Sequence, residues 1–519
     1  MRSFLSRFGS LILFVLSGFD RLRFRGASRL LNHARGVDSY LWQQSILRKD
    51  FAAHAEHLTR SLRQATEAQA HAEGVPIRHL NSPNTDKEAD ALALAHAHGR
   101  TSGRLALLTC VESCQTYRAR KDDAGLIMLR KQEGRCLHYY HYFQHPRVGL
   151  CYVRVQSYFP FTVHIGLNGR QWLYQQLQQC GIGFRRQGNL LTAVDDCAAA
   201  QRLLNEQCHT DWPKLLSELT APIQPLWPYL HQTAQAPYYW MTEQSEWASD
   251  LLFRSPPALA SWYRRWLHHG IEHLDCKDVM RYLGKRLPAH GFGTCTGDAK
   301  IDLRQRLGGV RLKFWYHSNS LKFYDKEGLA LRVETTINQP GYFRVYRTKE
   351  GAAADAPKSW QQMRKGVADL HRQAQVSHAA NERLLQSLAT VAQTAPLGKL
   401  LEPLSQPAKN PQGRRVRALN PLTGADGALL RCLSRGTFLL EGFRNRDVRA
   451  ALGLTAQDPA EHRRQTAAIG RKFALLRAHG IILRVQKTHR YQVTAQGKRI
   501  LTALHAAYAS DTNTLTTPP

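Results

Sequence analysis

Apolar and polar positions along this chain of 519 residues follow two periods, and each period predicts a different element. Residues 10–25 and 104–112 (RLALLTCVE) read as apolar strands. Residues 136–143 and 150–158 read as aromatic strands joined by His145-Pro146-Arg147-Val148-Gly149, a hairpin signal, and 162–167 continues as a strand. Asn168-Gly169 then punctuates the chain, and 170–179 places Trp172, Leu173 and Leu177 on one helical face. Helical patterning also falls around 38–73, 85–98 and 196–207.

Further on, 212–290 reads as mostly helical, 292–347 returns to β character, and 357–395 is a polar helical stretch. Pro396, Pro403, Pro407 and Pro411, with Gly398 and Gly413, then mark a linker. The expected fold class is α+β, an antiparallel-sheet body with helical insertions linked to a small C-terminal domain. The expected divisions are an α+β N-terminal domain (1–215), a helical region (216–291), a β-rich central region (292–350) and a helical stretch (351–395). A linker (396–428), a compact last domain (429–509) and a disordered tail (510–519) complete the chain.

Composition changes this picture through charge. Hydrophobic residues make up 43% and charged ones 21%, a globular balance that excludes a mainly disordered chain. Lys+Arg, however, is 71 against 40 for Asp+Glu, a net +31. A surplus of that size, rich in arginine, favours a polyanionic partner, because each phosphate neutralised releases counterions. Nucleic acid is the first candidate and an anionic membrane surface the second. The apolar run at 11–16 is too short to span a bilayer and leads straight into Asp20-Arg21-Leu22-Arg23, so no membrane association is expected. Ten cysteines at irregular spacing, with no clear export signal before them, predict a cytoplasmic protein with reduced thiols.

Within 429–509 there are 15 Lys/Arg against 4 Asp/Glu, a net +11. The order there is a helix at 429–434, one opened by Asn445, a longer one at 463–479 ended by Gly480, a hairpin at 481–494, and a last helix capped by Thr494. The stretch LLRAHGIILRVQKTHRYQVTAQGKRI resembles the helix–hairpin–helix end of bacterial winged-helix domains. That resemblance implies DNA as the partner, with RNA as an alternative. Arg463, Arg464, Arg471, Lys472 and Arg477 would enter a major groove, and Lys487 and Arg490 on the wing would reach phosphates.

Candidate chemistry falls in three places. In 310–338, Tyr324-Asp325-Lys326 ends one strand and Arg332-Val333-Glu334 lies on the next, after a turn at Lys326-Glu327-Gly328. The pair resembles the Tyr-x-Lys and Arg-x-Glu strands of rolling-circle replication initiators. The resemblance implies Tyr324 as nucleophile, Glu334 as ligand of a divalent cation (Mg or Mn), and Lys326 or Arg332 as a phosphate clamp. The His-x-His metal pair frequent in that class has one literal match, His96-Ala97-His98, in an alanine-rich helical stretch where solvated histidines are the alternative. His138 and His141, three apart on a strand, face opposite ways unless a bulge intervenes.

Second, Cys110, Cys114, Cys136 and His138 have the donor set of a tetrahedral zinc site, with buried free thiols as the alternative. Third, Tyr139, Tyr140, Tyr142, Tyr152, Tyr158 and neighbouring phenylalanines, interleaved with Arg135, Arg147 and Arg154, could stack on unpaired bases or pack a core. With GFDRLRFRG near its start, LRVETTIN in the middle and the basic end, the whole chain resembles a family of bacterial proteins of unassigned function. Two readings stand: a metal-dependent DNA-nicking or strand-joining protein of a mobile element, and a non-enzymatic DNA- or RNA-binding regulator or ribonucleoprotein component.

Overall fold

The computed structural model describes every residue except 275, 285–298, 307–308, 350, 354–355, 392–396, 411, 487 and 511–519. The strands in the first half are β1 (Ile12–Ser28), β2 (Ile77–Leu80), β3 (Gly103–Lys121), β4 (Ile127–His145), β5 (Gly149–Gln156), β6 (Val163–Asn168), β7 (Phe184–Gln187) and β8 (Leu190–Val194). There follow β9 (Tyr238–Phe253), β10 (Ala299–Arg306), β11 (Gly309–Tyr316), β12 (Asn319–Lys326), β13 (Ala330–Ile337), β14 (Arg344–Arg347) and β15 (Ser359–Gln362). The chain forms two compact units. A central unit comprises Val15–Asp250 and Glu334–His378, and a terminal unit comprises Met1–Phe14, Leu251–Val333 and Ala379–Pro519.

In the central unit the strand order is the end of β13, then β9, β1, β6, β5, β4, β3 and β2. Pairing from β1 through β3 is antiparallel, and β2 joins β3 in parallel. This mixed fold with a large, mostly antiparallel sheet is what the alternation of apolar and polar positions predicts. In β1, Leu22 and Phe24 are wholly buried while Arg21 and Arg23, which alternate with them, are exposed, the period-2 signature of a half-buried strand. The buried positions join Val153 and Ile165 in a core closed by the helices Ala34–Gln43, Phe51–Ala72 and Trp212–Thr220. Under the helix Lys87–Ala97, a smaller core gathers Leu108, Cys110, Tyr140 and Tyr142 against Ala91 and Leu94. Local signals hold where the sequence places them. Asn168 caps the helix Gly169–Gln179 by accepting from the N–H of Arg170 and Gln171, and the helix Cys197–Gln207 matches its predicted span.

One region departs from expectation. Residues 212–290 read as mostly helical, yet the sixteen-residue β9 runs through them. It carries Thr242, Ser245, Glu246, Ser249 and Asp250, all buried, so polar residues occupy inward positions and the hydrophobic alternation that marks a strand is lost.

In the terminal unit, β10, β11 and β12 pair in antiparallel succession and β13 follows β12 in the order. Its C-terminal part has helices Gly424–Leu433, Gly436–Glu441, Asn445–Ala451 and Pro459–Ala478, the paired strands Ile482–Arg484 and Tyr491–Val493, and a last helix Ala495–Ala509. Gly480 takes φ 69° directly after the long helix, a left-handed position that favours glycine, and Thr494 caps the last helix by accepting from the N–H of Gly497. Arg444, not Asn445, is the cap residue of the third of these helices. Residues 396–428 are more than a spacer, since Leu401, Leu404 and Leu419 enter the same core as Leu430, Phe473 and Ile500. Residues 511–519 of the expected tail (510–519), and Lys487 on the expected wing, lie outside the described residues. Among the described residues no helix is long and apolar enough to cross a membrane.

Asp369 ties down the far end of the central unit. Its fully buried carboxylate accepts from Arg372 at 2.6 Å and from Arg364 at 3.2 Å, and Arg347 lies 3.9 Å away. Burial opposes ionisation, but the hydrogen bonds and charges of Arg364 and Arg372 outweigh it and hold the carboxyl below the usual range. Asp369→Asn should therefore cost about 3–5 kcal/mol, because buried Arg347 loses its counter-charge. Urea unfolding at neutral pH checks this, and a loss within error of zero contradicts it.

Candidate functional site

Three neighbouring strands of the central unit bring three carboxylates together. Asp20 lies on β1, Glu246 on β9 and Glu334 on the end of β13, the order in which these strands stand in the sheet. One oxygen from each lies within 4.8 Å of the other two. Glu334 lies deepest at 1% exposure, and Asp20 and Glu246 keep 8% and 7%. Hydrogen bonds orient two of them: Asn189 Nδ2 donates to Asp20 Oδ1 at 2.6 Å, and Gln244 Nε2 donates to Glu246 Oε1 at 2.9 Å. Ionised carboxylates at this separation repel one another strongly in a poorly solvated site, and a hard divalent cation that takes oxygen ligands offsets that repulsion. No other group of three histidine, cysteine or acidic side chains among the described residues converges this closely.

A second polar cluster lies across β3, β4 and β5. Glu112 accepts from Lys87 at 3.1 Å through one oxygen and from Tyr140 at 2.7 Å and Arg154 at 3.0 Å through the other. Arg21, Arg23, Lys87, Tyr140, Tyr152 and Arg154 line an adjoining cavity of about 430 Å³. Tyr152 is held over Gly166, where an added Cβ would collide with its ring. Burial pushes Glu112 up, but its hydrogen bonds from Tyr140 and Lys87 and the charge of Arg154 outweigh that and hold it below the usual carboxylate range. The His138 pKa is also lowered, to about 4, by burial and by the charge of Arg154, so the imidazole is neutral at physiological pH. His164 Nδ1 bonds Glu243 Oε2 at 2.9 Å.

The expected zinc site does not form. Cys110 stands opposite His138, and Cys136 opposite Glu112, so these residues share a face, but Cys114 is four residues along β3 from Cys110. That spacing is about 13 Å on a strand, far beyond the reach of one tetrahedral ion. Cys114 instead hydrogen-bonds Cys136, which lowers the Cys114 thiol pKa. Both nitrogens of His141 are buried without a hydrogen-bond partner, and His96 and His98 are exposed on or beside their helix. Most of the aromatic run is spent on packing. Tyr139, Tyr140, Tyr142 and Phe159 are buried at 0–7% exposure and pack the two cores, whereas Phe143, Tyr152 and Tyr158 are half-buried.

Glu334, expected as a metal ligand, does join an acidic group, with Asp20 and Glu246 as the partners that sequence reasoning missed. They stand 226 residues apart, and no local motif links them. Tyr324 and Lys326 belong to the terminal unit. There Tyr324 pairs in register with Arg311 and has the Lys322 ammonium 5.7 Å from its ring centroid. The Lys326 ammonium lies 3.8 Å from Glu327, and Arg332 is 1% exposed.

On the helix Pro459–Ala478, Ile469, Phe473 and Leu476 face the core, and Arg463, Arg464, Arg471 and Arg477 are exposed. The wheel puts these arginines around Ala467, Gly470 and Ala474 on the opposite side. Lys472 lies off this face and donates to the Ala425 carbonyl at 3.0 Å. Arg490, on the hairpin, is half-buried.

The Glu112 cluster makes a signed pH prediction. A carboxyl held low in the folded chain contributes stability that is complete above its unfolded pKa, about 4.3, and is lost as pH falls through its lowered folded value. Glu112→Gln should be less stable than the parent at pH 7, by about 1–3 kcal/mol, and the two unfolding curves should converge on acidification. A gap that widens as pH falls would contradict the assignment. No protein-family model, curated protein or solved structure matches the chain.

Proposed function

We propose that this chain is a divalent-cation-dependent nucleic-acid-processing protein, in which Asp20, Glu246 and Glu334 hold Mg²⁺ or Mn²⁺ and residues 424–509 act as a winged helix on DNA. The observation that carries the reading is the meeting of three buried carboxylates within 4.8 Å on adjacent strands. A cation there supplies what phosphodiester cleavage needs: it offsets charge on the phosphate and makes a bound water more acidic. Arg21 and Arg23, which follow Asp20 on β1 and line the neighbouring cavity, suit a phosphate backbone. The net charge of +31 and the exposed arginine face on the helix Pro459–Ala478 support a nucleic-acid substrate.

Labelled single- and double-stranded DNA, incubated with the protein and Mg²⁺ or Mn²⁺, tests this directly. The expected result is cation-dependent cleavage, abolished in Glu334→Gln and by chelation. Tyr324→Phe separates the two chemical routes. If a tyrosine attacks, with Lys326 and Arg332 as clamps, the covalent adduct disappears; if water attacks, cleavage is unchanged. Binding without cleavage under every cation would leave the regulator reading and sink the enzymatic one. For docking, Arg471→Ala with Arg477→Ala should weaken duplex binding and flatten its salt dependence, while Lys472→Ala, already committed to Ala425, should do little.

A further inference from the structure

The two-stranded sheet of β14 and β15 has one face turned into the central unit and one turned out. Val345 and Arg347 are buried at 8% and 9% exposure, whereas Tyr346 and Trp360 are 59% and 56% exposed. Alternation along the strands forces this division, since Arg344 and Tyr346 share one face and stand opposite Gln362 and Trp360. Tyr346 and Trp360 form a directly opposed pair, with ring centroids 5.7 Å apart and planes at 56°. Two large aromatics held side by side, each more than half in water, are unusual on a surface that has no need of them.

The platform is rigid from below. Arg347 on β14 and Arg364 just past β15 both reach the buried Asp369, Phe343 accepts from the N–H of Met363, and the Lys365 carbonyl accepts from Thr242 on β9. It is cationic at its margins. Arg344 donates to the Trp360 carbonyl at 3.0 Å, and Lys349 and Lys358, three residues after Tyr346 and two before Trp360 in the chain, are exposed. Rings this close and this tilted leave no space for a flat group between them, so a ligand must lie on their outer faces. Aromatic faces bordered by lysine and arginine on a firm sheet match the chemistry of an unpaired nucleic-acid strand, with bases on the rings and phosphates on the cations.

We propose that Tyr346 and Trp360 form a stacking platform for unpaired bases of single-stranded nucleic acid. The inference deepens the nucleic-acid reading above and rests on it, but needs neither the acidic triad nor cleavage. It also puts the stacking surface on a different hairpin from the aromatic run of 139–159, whose rings are mostly spent on core packing.

Fluorescence anisotropy of the full chain with a labelled oligothymidylate of about 12 nucleotides, against a duplex of equal length at the same salt, tests the platform. Tyr346→Ala with Trp360→Ala should weaken single-strand binding about tenfold or more, and duplex binding much less. Trp360→Phe, which keeps an aromatic face, should retain most of the affinity, and the unfolding midpoint of each variant should match the parent because both rings are exposed. A double variant that binds the oligothymidylate as the parent does would overturn the platform, even with cation-dependent cleavage intact. Equal losses on single strand and duplex would overturn it too, since stacking requires unpaired bases. A parent that binds neither would remove the nucleic-acid reading and the platform together.

Discussion

Three carboxylates buried side by side are the arrangement on which the rest of the central unit turns. Taking a single charge out of water is costly, and placing like charges within 4.8 Å adds their repulsion. The sheet imposes that arrangement: β13, β9 and β1 are neighbours, and each contributes one acid at the same level. Asn189 and Gln244 hold two of the carboxylates from outside, as supports do around a metal ligand. A cation among the three would turn the repulsion into coordination and give a basic chain the means to act on phosphate.

The remaining polar groups divide labour by position. The Glu112–Lys87–Arg154–Tyr140 cluster satisfies its charges internally and leaves Arg21 and Arg23 facing the cavity. Asp369 gathers three arginines and thereby fixes the hairpin that presents Tyr346 and Trp360. The exposed arginines of the helix Pro459–Ala478 stand opposite its own buried face, around small residues that permit close approach. On the proposed reading, catalysis, strand stacking and duplex docking would each use a different set of residues, held in place by strand or helix periodicity.

How much of this was legible in the sequence depends on whether the signal was local. Alternating strands such as β1 and β5, the Asn168 and Thr494 caps and the left-handed Gly480 follow from spacing and residue type alone. β9 did not, because buried Thr242, Ser245, Glu246, Ser249 and Asp250 erase its apolar alternation, and the reason they are buried is tertiary. Glu334 stood out beside Arg332, but Asp20 and Glu246 become its neighbours only once the strand order is known. The thiols of 110–136 have the composition of a zinc site, and strand geometry separates them. Tyr346 and Trp360 give no sequence signal that distinguishes them from core aromatics, because exposure is a property of the fold.

The central claim is that Asp20, Glu246 and Glu334 hold a divalent cation, and counting bound Mn²⁺ tests it without assuming any substrate. Electron paramagnetic resonance of free Mn²⁺ during titration into metal-free protein should show about one tight equivalent per chain. Glu246→Gln, which keeps shape and removes one charged ligand, should abolish that equivalent while the chain stays folded. A parent chain that binds no Mn²⁺, or a variant that binds it as tightly as the parent, would contradict the account.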